Sequence, residues 1–454
     1  MLSDPIAALA TPPGRSALAV IRLSGNGALA IAARIVPGTG NRESGIDRLD
    51  DRMATLATFS DQDGAPIDQG LVTVFRAPHS YTGEDLVEFS CHGGLLAPAQ
   101  LLAALQRAGA RPAAPGEFTR RALLNGKLDL LQVEAIGDLI DATAPAQGRA
   151  ALRQLDGGLS RRISALREHA LELLALLAYD IDFPEEDEGP VSRERMRGAC
   201  EDVAREVAGL LATAPAGERL REGALVVLAG RPNAGKSSLF NAFLGADRAL
   251  VTEVPGTTRD TIEAHTSVLG WPVRLADTAG LRESEEPIER LGIEVSRRYV
   301  DAADLVLLCV EAGREPTAEE RALERDHGAL LVRSKADLVP AGRLADDEGV
   351  PVSALTGFGL DRLGMTIASR LFNGRGGGGY ADLEPMLTRE RHRDCLGRAA
   401  LALDQARPHL DVRGDAVLAA HHVQAAVSAL DELIGIVHPD EVLGRVFERF
   451  CVGK

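Results

Sequence analysis

The pattern of apolar and polar positions changes character along the 454 residues. Residues 1 to about 118 contain short apolar runs rich in β-branched residues, which are typical of strands. Three of these runs predict strands: residues 18–23, 71–75 and 86–89. Leucines between positions 95 and 105 fall near one face of a helix predicted over residues 93–108. This part of the chain is therefore predicted to be an α/β domain.

A helical periodicity replaces the strand pattern from about Leu123. Apolar residues recur at steps of three and four between positions 152 and 177, and no proline falls between Pro145 and Pro184. The spacing predicts one long amphipathic helix with a kink at Gly157 and Gly158. Further helices are predicted over residues 191–213, 396–403, 417–436 and 442–450.

Between these helical segments, strands and helices alternate from about Gly223 to a glycine-rich linker at 373–379. The simplest architecture is an all-α domain in two pieces, interrupted by an inserted α/β domain, because the ends of a domain often lie close together. The predicted domains are an N-terminal α/β domain at 1–118, helical segments at 119–222 and 380–454, and an inserted Ras-like P-loop domain at 223–373.

Composition narrows the class of protein. The five cysteines form no CxxC pair, which argues against a zinc site and a disulfide framework and favours a reducing, cytoplasmic setting. The first residues lack the basic and apolar regions of a signal peptide. No apolar run approaches the ~18 residues that would suggest a membrane span, so no membrane association is expected.

The formal net charge of −16 bears on partners. An acidic chain repels phosphate backbones, so bulk charge does not predict nucleic-acid binding. If a nucleic acid is involved, a local basic patch or a basic partner must supply the attraction.

Residues 230–237 match the phosphate-loop pattern GxxxxGK[ST] and stand between a predicted strand at 224–229 and a predicted helix at 238–244. The glycines let successive backbone N–H groups face one anion at the helix N-terminus. Lys236 is predicted to reach the β- and γ-phosphates and to be catalytic, and Ser237 to be a Mg²⁺ ligand. The remaining predicted nucleotide contacts in this segment are Asn233, Ala234, Gly235 and Ser238.

Further motifs favour GTP over ATP. Asp277-Thr278-Ala279-Gly280 ends a predicted strand, where the aspartate can hold Mg²⁺ through water and the glycine N–H can meet the γ-phosphate. Thr258, in a switch-type segment at 256–260, is the predicted second Mg²⁺ ligand. The guanine-binding motif is predicted at Ser334-Lys335-Ala336-Asp337, with Ser353-Ala354-Leu355 as the loop facing guanine O6.

Two residues in the predicted GTP site differ from those that common GTPases have at the same motif positions. Ser334 stands where GTPases usually have asparagine, which weakens the predicted guanine contact. Leu281 follows the DTAG motif where many small GTPases place a water-orienting glutamine. Another group must then position water or neutralise charge, and the nearby candidates are Arg259, Arg282, Glu283, Glu289 or a cation held by Asn233. A loop-stabilising role for Asn233 stays open on residue chemistry.

The whole chain resembles the MnmE (TrmE) family of tRNA-modification GTPases. The segments that carry the resemblance outside the P-loop domain are residues 10–15 (ATPPGR), 80–85 (SYTGED), 92–94 (HGG), 114–119 (APGEFT), 124–130 (LNGKLDL) and 450–454 (FCVGK). The resemblance implies a homodimer formed through the N-terminal domain.

That N-terminal domain would bind 5-formyl- or methylene-tetrahydrofolate as a one-carbon donor. By motif position, Arg22, Glu88, Lys127 and Lys454 would contact the folate. Without the resemblance, these residues would be interpreted as surface salt bridges and a solvated C-terminus. Cys451 matches the family's terminal cysteine, and a structural thiol remains an alternative.

For the P-loop domain, the resemblance implies K⁺-dependent GTP hydrolysis and dimerisation of two G domains. Asn233, Thr252, Val254 and Thr257 would ligand K⁺, and Glu289 would orient the attacking water. The loop that caps the ion supplies further nucleotide contacts, namely Thr252, Glu253, Val254, Pro255, Gly256, Thr257 and Thr258. Without the family, Glu289 is an ordinary helix-surface acid.

The family's partner is MnmG, a protein that uses FAD and NADH. Together they place an aminomethyl-type group, such as carboxymethylaminomethyl, at C5 of the tRNA wobble uridine (U34). The alternative interpretation is a GTP-switch ribosome-assembly factor of the Era or Der kind, which shares the G domain but lacks the TPPGR segment and the C-terminal Cys-x-Gly-Lys. A third interpretation, an ATP-using P-loop enzyme, fails if GDP competes far better than ADP.

Overall fold

The structure is a computed structural model. It describes residues 4–37, 46, 49–182, 192–246, 263–277, 298–340, 348–372, 386–411, 414–436, 446–447, 450 and 452–453. The chain divides into two compact units, of which the first comprises Met1–Gly137 with Ile434–Lys454 and the second Asp138–Leu433.

In the first unit, the described strands form a six-stranded sheet of order β3-β4-β5-β2-β1-β6. The strands are β1 (Ile6–Leu9), β2 (Leu18–Ser24), β3 (Thr55–Ser60), β4 (Pro66–Phe75), β5 (Leu86–His92) and β6 (Arg111–Pro112). The helices are α1 (Ala28–Ile35), α2 (Leu96–Arg107), α3 (Glu117–Leu124) and α4 (Leu130–Asp141). All three predicted strands are confirmed.

One face of this sheet carries the core of the first unit. Fully buried residues such as Ile21 and Phe89 pack with Ile35 of α1 and Leu101 of α2. Helix α2 begins at Leu96, later than predicted, because Gly93 exchanges backbone hydrogen bonds with Ser16 and Ala17 and so extends the sheet.

In the second unit, the described helices are α5 (Pro145–Leu155), α6 (Gly158–Asp182), α7 (Arg193–Leu211), α8 (Ala214–Glu222), α9 (Lys236–Ala246), α10 (Ala318–His327), α11 (Leu360–Leu371), α12 (Glu390–Ala406) and α13 (Ala416–Ile434). The prediction of one kinked helix through Gly157 is wrong. Gly157 has a φ of 80°, a left-handed conformation that ends α5, and its carbonyl accepts from Arg161 N–H as α6 begins.

The described strands of the second unit form a six-stranded sheet of order β12-β11-β10-β7-β9-β8. They are β7 (Ala224–Ala229), β8 (Glu263–Val268), β9 (Trp271–Asp277), β10 (Leu305–Glu311), β11 (Leu330–Ser334) and β12 (Val350–Pro351). Every pairing is parallel except that of β8 with β9. The carboxyl ends of the parallel strands therefore meet at one edge of the sheet, which is where such sheets bind ligands.

Two helices from the all-α segments pack on this inserted sheet. Ala146 of α5 and Leu220 of α8 are buried in its core, and Ala146 N–H donates to the carbonyl of Gly270 at 3.0 Å. Trp271, at the start of β9, stacks on Phe372 with ring centroids 4.4 Å apart. The α/β core is thus built partly from residues outside the predicted 223–373 segment.

Candidate functional site

The phosphate loop leaves the middle of the inserted sheet. Strand β7 is buried along its whole length and lies between β10 and β9. The phosphate loop therefore begins at the carboxyl end of a central strand. Gly230 has a φ of 139°, and a Cβ there would lie 2.4 Å from the Cys309 carbonyl oxygen, so the position requires glycine. Asn233 and Gly235 also have positive φ angles, of 63° and 85°.

Lys236 lies inside the curve of this loop. Its side chain is 5% exposed, and its Nζ donates to the carbonyl oxygens of Gly230 at 3.0 Å and Arg231 at 2.8 Å. The ammonium is therefore held at the first turn of α9, where backbone N–H groups and the helix dipole favour an anion. This is the position that the sequence predicts for the phosphate-binding lysine.

Ser237 and Asp277 come together at the same sheet edge. The hydroxyl of Ser237 donates to Asp277 Oδ2 at 2.7 Å. Asp277 is the last residue of β9 and pairs with Leu228 of β7, so the parallel register places its carboxylate beside the loop. A hydroxyl and a carboxylate are the hard oxygen donors that Mg²⁺ prefers, and these two fit the predicted metal site.

Ser334 connects the predicted guanine-binding motif to the phosphate loop. Its buried hydroxyl donates to the carbonyl oxygen of Ala234 at 2.7 Å. A Cβ on Gly235 would lie 3.3 Å from Ser334 Cβ, so the two segments are in close contact. A serine at this position can therefore hold the two loops together, which the sequence alone did not indicate.

The rest of the predicted base-binding edge is also ordered by hydrogen bonds. Ala336 N–H donates to the Val352 carbonyl at 3.0 Å, and the Ser353 hydroxyl accepts from Thr356 N–H at 3.2 Å. Lys335 pairs with Glu311, an acid at the end of β10 that sequence reasoning missed. The carboxylate of Asp337 is exposed at this edge, and Ala354 and Leu355 follow buried Ser353 in the neighbouring loop.

Several predicted site residues lie outside the described residues. These are Thr252, Glu253, Val254, Pro255, Gly256, Thr257, Thr258, Thr278, Ala279, Gly280, Glu289 and Lys454. The predicted switch segment, the water-orienting glutamate and one folate contact therefore stay predictions.

In the first unit, Arg22 and Glu88 are brought together on the sheet face opposite the helical core. They are direct cross-strand neighbours on β2 and β5, and Arg22 Nε donates to Glu88 Oε1 at 2.8 Å. The Arg22 guanidinium lies 5.5 Å from the centroid of the Tyr81 ring, within cation–π range. Tyr81 belongs to the SYTGED segment, but sequence reasoning did not assign it a place in the site.

Lys127 lies against the loop that connects β4 to β5 and contains Tyr81. Its Nζ donates to the Pro78 carbonyl at 3.1 Å, and the neighbouring Asn125 side chain donates to the Thr82 carbonyl at 2.7 Å. The Tyr81 hydroxyl shares a 2.8 Å hydrogen bond with the Thr119 hydroxyl, so the loop is fixed from both sides. Three of the four predicted folate residues thus lie on or beside this loop and the strands it faces.

A buried arginine, Arg121, holds this loop through a hydrogen bond to Glu84. Arg121 is 1% exposed and donates to Glu84, Glu117 and Asp4 at distances between 2.8 and 3.2 Å. Burial opposes ionisation of Glu117, but hydrogen bonds from Arg111, the Ala114 N–H and Arg121 outweigh it and lower the pKa of Glu117 to about 2. The Glu117 carboxylate is therefore charged at neutral pH.

Two family descriptions match the chain: the GTP-binding protein TrmE N-terminus over residues 5–127 and the MnmE helical domain over residues 130–451. A tRNA modification GTPase MnmE of Thermus thermophilus is 46% identical over 100% of this chain and 99% of its own length. The chain belongs to the MnmE family of tRNA modification GTPases. Its resemblance to that family is thereby confirmed.

Other MnmE relatives match over the same extent. The Aquifex aeolicus MnmE is 39% identical and the Moorella thermoacetica MnmE 43% identical, each over 100% of both chains. The G domain of the T. maritima FeoB iron transporter is 26% identical over 32% of this chain and 98% of its own, with a TM-score of 0.24. The full-length matches to MnmE proteins set aside the ribosome-assembly interpretation.

The predicted fold class is confirmed: an N-terminal α/β domain and a discontinuous helical domain with an inserted P-loop G domain. The phosphate-loop motif, its geometry and the MnmE family together make this chain a P-loop GTPase. Among the described residues, no helix is both long enough and apolar enough to cross a membrane.

Replacing Ser334 with alanine is expected to weaken GTP and GDP binding about tenfold, because a buried carbonyl oxygen on Ala234 loses its donor and the two loops separate. Titration of fluorescent guanine nucleotides into the purified variant measures the effect. Ser164→Ala, at an exposed serine of α6, is the control and should bind like the unaltered protein. Equal affinity of Ser334→Ala and this control would contradict the assigned role.

Proposed function

We propose that this chain is a K⁺-dependent GTPase that acts in the cytoplasm with an MnmG-type partner using FAD and NADH. Together they would install a carboxymethylaminomethyl or aminomethyl group at C5 of the tRNA wobble uridine (U34). The observation that carries this proposal is the likeness, over the full chain length, to proteins named tRNA modification GTPases.

Residues at the carboxyl edge of the inserted sheet would bind and hydrolyse GTP. Lys236 would hold the β- and γ-phosphates, and the Asp337 carboxylate would accept hydrogen bonds from guanine. Ser237, with Thr258, would hold Mg²⁺, which supplies charge neutralisation at the phosphates when bound. The 2.7 Å contact of Ser237 with Asp277 supports this because it brings a hydroxyl and a carboxylate oxygen together beside the phosphate loop.

Asn233 supports the K⁺ assignment. It is an exposed loop residue in a left-handed conformation, so its side-chain oxygen is available to a ligand beside the phosphate loop. Thr252, Val254 and Thr257 would complete the K⁺ site. Glu289 would orient the attacking water, a task that the apolar Leu281 cannot perform.

A tetrahydrofolate derivative would bind the first unit through Arg22, Glu88, Lys127 and Lys454. The Arg22–Glu88 pair supports this because both side chains are about one quarter exposed, at 25% and 27%, and so can be reached by a ligand. The arginine and the lysines suit the carboxylates of a glutamylated folate, and Glu88 can accept from pterin ring donors.

A homodimer through the first unit is supported by the same sheet face. Leu56 and Leu71 are cross-strand neighbours on β3 and β4 and are 65% and 43% exposed, and Leu18 on β2 is 62% exposed. An exposed apolar face of this kind is typical of a protein interface. G-domain dimerisation is proposed as the step that couples GTP hydrolysis to modification.

Potassium dependence tests the proposal directly. GTP turnover should rise at least about tenfold in K⁺ relative to Na⁺, because an ion at the β–γ bridge stabilises developing charge. Glu289→Ala should abolish turnover while it leaves nucleotide affinity unchanged. Equal turnover in both salts would contradict the cation assignment.

Nucleoside mass spectrometry of tRNA from a deletion strain tests the modification itself, and unchanged wobble uridines would overturn it.

A further inference from the structure

An acid at the end of β10 holds the lysine of the predicted guanine-binding motif. Glu311 is the last residue of β10, and the parallel register places it beside Ser334, the last residue of β11. Lys335 comes next in the chain, and its ammonium forms an ion pair with the Glu311 carboxylate. Ala312 N–H donates to the Ser334 carbonyl at 2.8 Å, which keeps the two strand ends together. The ion pair therefore links adjacent strands at the edge where the nucleotide base is proposed to bind.

The backbone of Lys335 has a conformation that residues with a Cβ rarely adopt. Its φ of 54° and ψ of 39° are left-handed. Among the described residues, four that are not glycine have a positive φ, and two of these, Asn233 and Lys335, belong to the predicted nucleotide site. Such conformations persist where the surrounding structure holds them, and they cluster at ligand sites. The direction in which the Lys335 side chain leaves the backbone is thus fixed by the local fold.

The backbone that carries Glu311 is held by a buried arginine. Arg333 is 2% exposed, and its guanidinium donates to the Arg314 carbonyl at 2.6 Å and to the Glu348 carbonyl at 2.8 Å. Arg314 donates twice to the Glu320 carboxylate, at 2.6 and 2.7 Å, and its N–H donates to the Glu311 carbonyl at 3.1 Å. The turn that follows β10 is therefore anchored both to the sheet and to the start of α10.

The ion pair of Lys335 with Glu311 is too exposed to contribute much to stability. The Lys335 side chain is 38% exposed and that of Glu311 43%, and pairs of this kind add little to the free energy of unfolding. A lysine side chain without a partner samples many rotamers, however, and a ligand that packs on it must order it on binding. Because Glu311 holds the ammonium, the aliphatic stem of Lys335 is ordered before the nucleotide arrives.

The neighbours of Lys335 in the motif indicate what this stem can contact. Before it, Ser334 holds the phosphate loop through the Ala234 carbonyl. After it, Asp337 has the exposed carboxylate that is proposed to accept hydrogen bonds from guanine. Lys335 stands between these two contacts, next to the place proposed for the base. The aliphatic stem of a lysine can cover an apolar surface, here the flat face of a purine, while the charged end stays in water.

We propose that Glu311 is a positioning residue for the nucleotide base, and that it acts by holding the Lys335 stem against one face of the ring. The inference deepens the proposed function, on which it rests for the placement of guanine at residues 334–337. Glu311 itself touches neither the base nor the phosphates. Asp337 distinguishes guanine from other bases, whereas the Lys335 stem packs equally well on any purine. Glu311 therefore determines how tightly a nucleotide binds, and neither which purine is preferred nor how fast bound GTP is hydrolysed.

The test is Glu311→Gln in the full-length chain, which keeps the size of the side chain and removes its charge. Titration with fluorescent GDP should show binding about fivefold weaker, because the nucleotide must then order the lysine stem itself. Competition with unlabelled IDP, which lacks the exocyclic amine of guanine, should show a loss by the same factor. For GTP turnover, KM should rise while kcat stays unchanged. High salt screens the exposed ion pair, so the difference in affinity between the variant and the unaltered protein should shrink there.

A double-mutant cycle with Lys335→Met separates positioning from a general effect on the fold. Since Glu311 acts through Lys335, the double variant should bind GDP no more weakly than Lys335→Met alone. Glu315→Gln is the matched control, because it removes the same charge from an exposed position between β10 and α10. This control should bind GDP like the unaltered protein.

The outcomes distinguish this inference from the proposed function. Equal affinity of Glu311→Gln and Glu315→Gln, or losses that multiply in the double variant, would overturn the inference while the proposed function stands. Asp337→Ala reports on the guanine site separately. If Asp337→Ala bound GDP as tightly as the unaltered chain, the placement of guanine at residues 334–337 would be wrong, and both would fall.

Discussion

Replacing Lys236 with methionine is expected to lower GTP affinity at least about a hundredfold and to reduce turnover to background. Methionine keeps the buried aliphatic stem but removes the ammonium that neutralises the β- and γ-phosphates. The structure adds a second cause, since Lys236 Nζ also donates to the Gly230 and Arg231 carbonyls and so holds the loop in its curve. Nucleotide titration and phosphate release measure the two effects.

The control for Lys236→Met separates loss of the ammonium from loss of charge in general. Arg231→Met removes a positive charge from an exposed position in the same loop and should retain most of the GTP affinity. The thermal unfolding of Lys236→Met should stay close to that of the unaltered protein, because an uncharged stem suits a buried site. Retained turnover in Lys236→Met would refute the phosphate-binding assignment.

The second large effect is expected from Arg121→Met, which should destabilise the first unit by about 3–5 kcal/mol. The substitution removes one charged donor from buried Glu117, which keeps Arg111 and the Ala114 N–H, and the arginine that pairs with part-buried Glu84. Both carboxylates are then less well compensated, and a buried charge that loses a partner is costly. Urea unfolding followed by circular dichroism measures the change. The chain's single tryptophan, Trp271, lies in the second unit, so its fluorescence transition serves as an internal reference.

The pH dependence of unfolding distinguishes the loss of the Arg121 ion pairs from a loss of packing. The pKa of Glu117 is about 2 in the folded protein against 4.5 when unperturbed, so its ionisation stabilises the fold above about pH 4.5. That contribution disappears as the pH falls toward 2. Without Arg121 the pKa of Glu117 should rise, and acid unfolding should begin at a higher pH.

Arg107→Met is the matched control for Arg121→Met, because Arg107 is an exposed arginine in the last turn of α2. It should leave both the urea midpoint and the pH at which acid unfolding begins near those of the unaltered chain. If Arg121→Met unfolded at the same urea concentration and pH as this control, the buried network would not be a main support of the loop at 77–85.

Much of the second unit could be predicted from local pattern. The apolar run at 224–229, the glycines of the phosphate loop and the helix after it form one contiguous segment, so strand, turn and helix signals reinforce each other there. The same holds for strands β10 and β11, whose apolar runs are long and uninterrupted. Local propensity and burial agree in these elements, and for that reason the sequence was sufficient to predict them.

Other features depend on contacts between distant residues. Whether glycines at 157 and 158 bend a helix or end it depends on the backbone angle that Gly157 adopts, and periodicity carries no information about that angle. The start of α2 is set by backbone hydrogen bonds between Gly93 and a segment near the N-terminus, at Ser16 and Ala17. Neither feature leaves a signal in the local spacing of apolar residues.

By itself, the sequence determined the fold class, the phosphate loop and the family, because motifs and periodicity are properties of contiguous residues. The tertiary structure alone decided that Ser334 holds Ala234, that Arg22 faces Glu88 beside Tyr81, and that Arg121 supports their loop. These contacts join residues far apart in the chain. Hydrogen-bond geometry and burial arise only when the elements pack, so residue types in sequence order could not specify them.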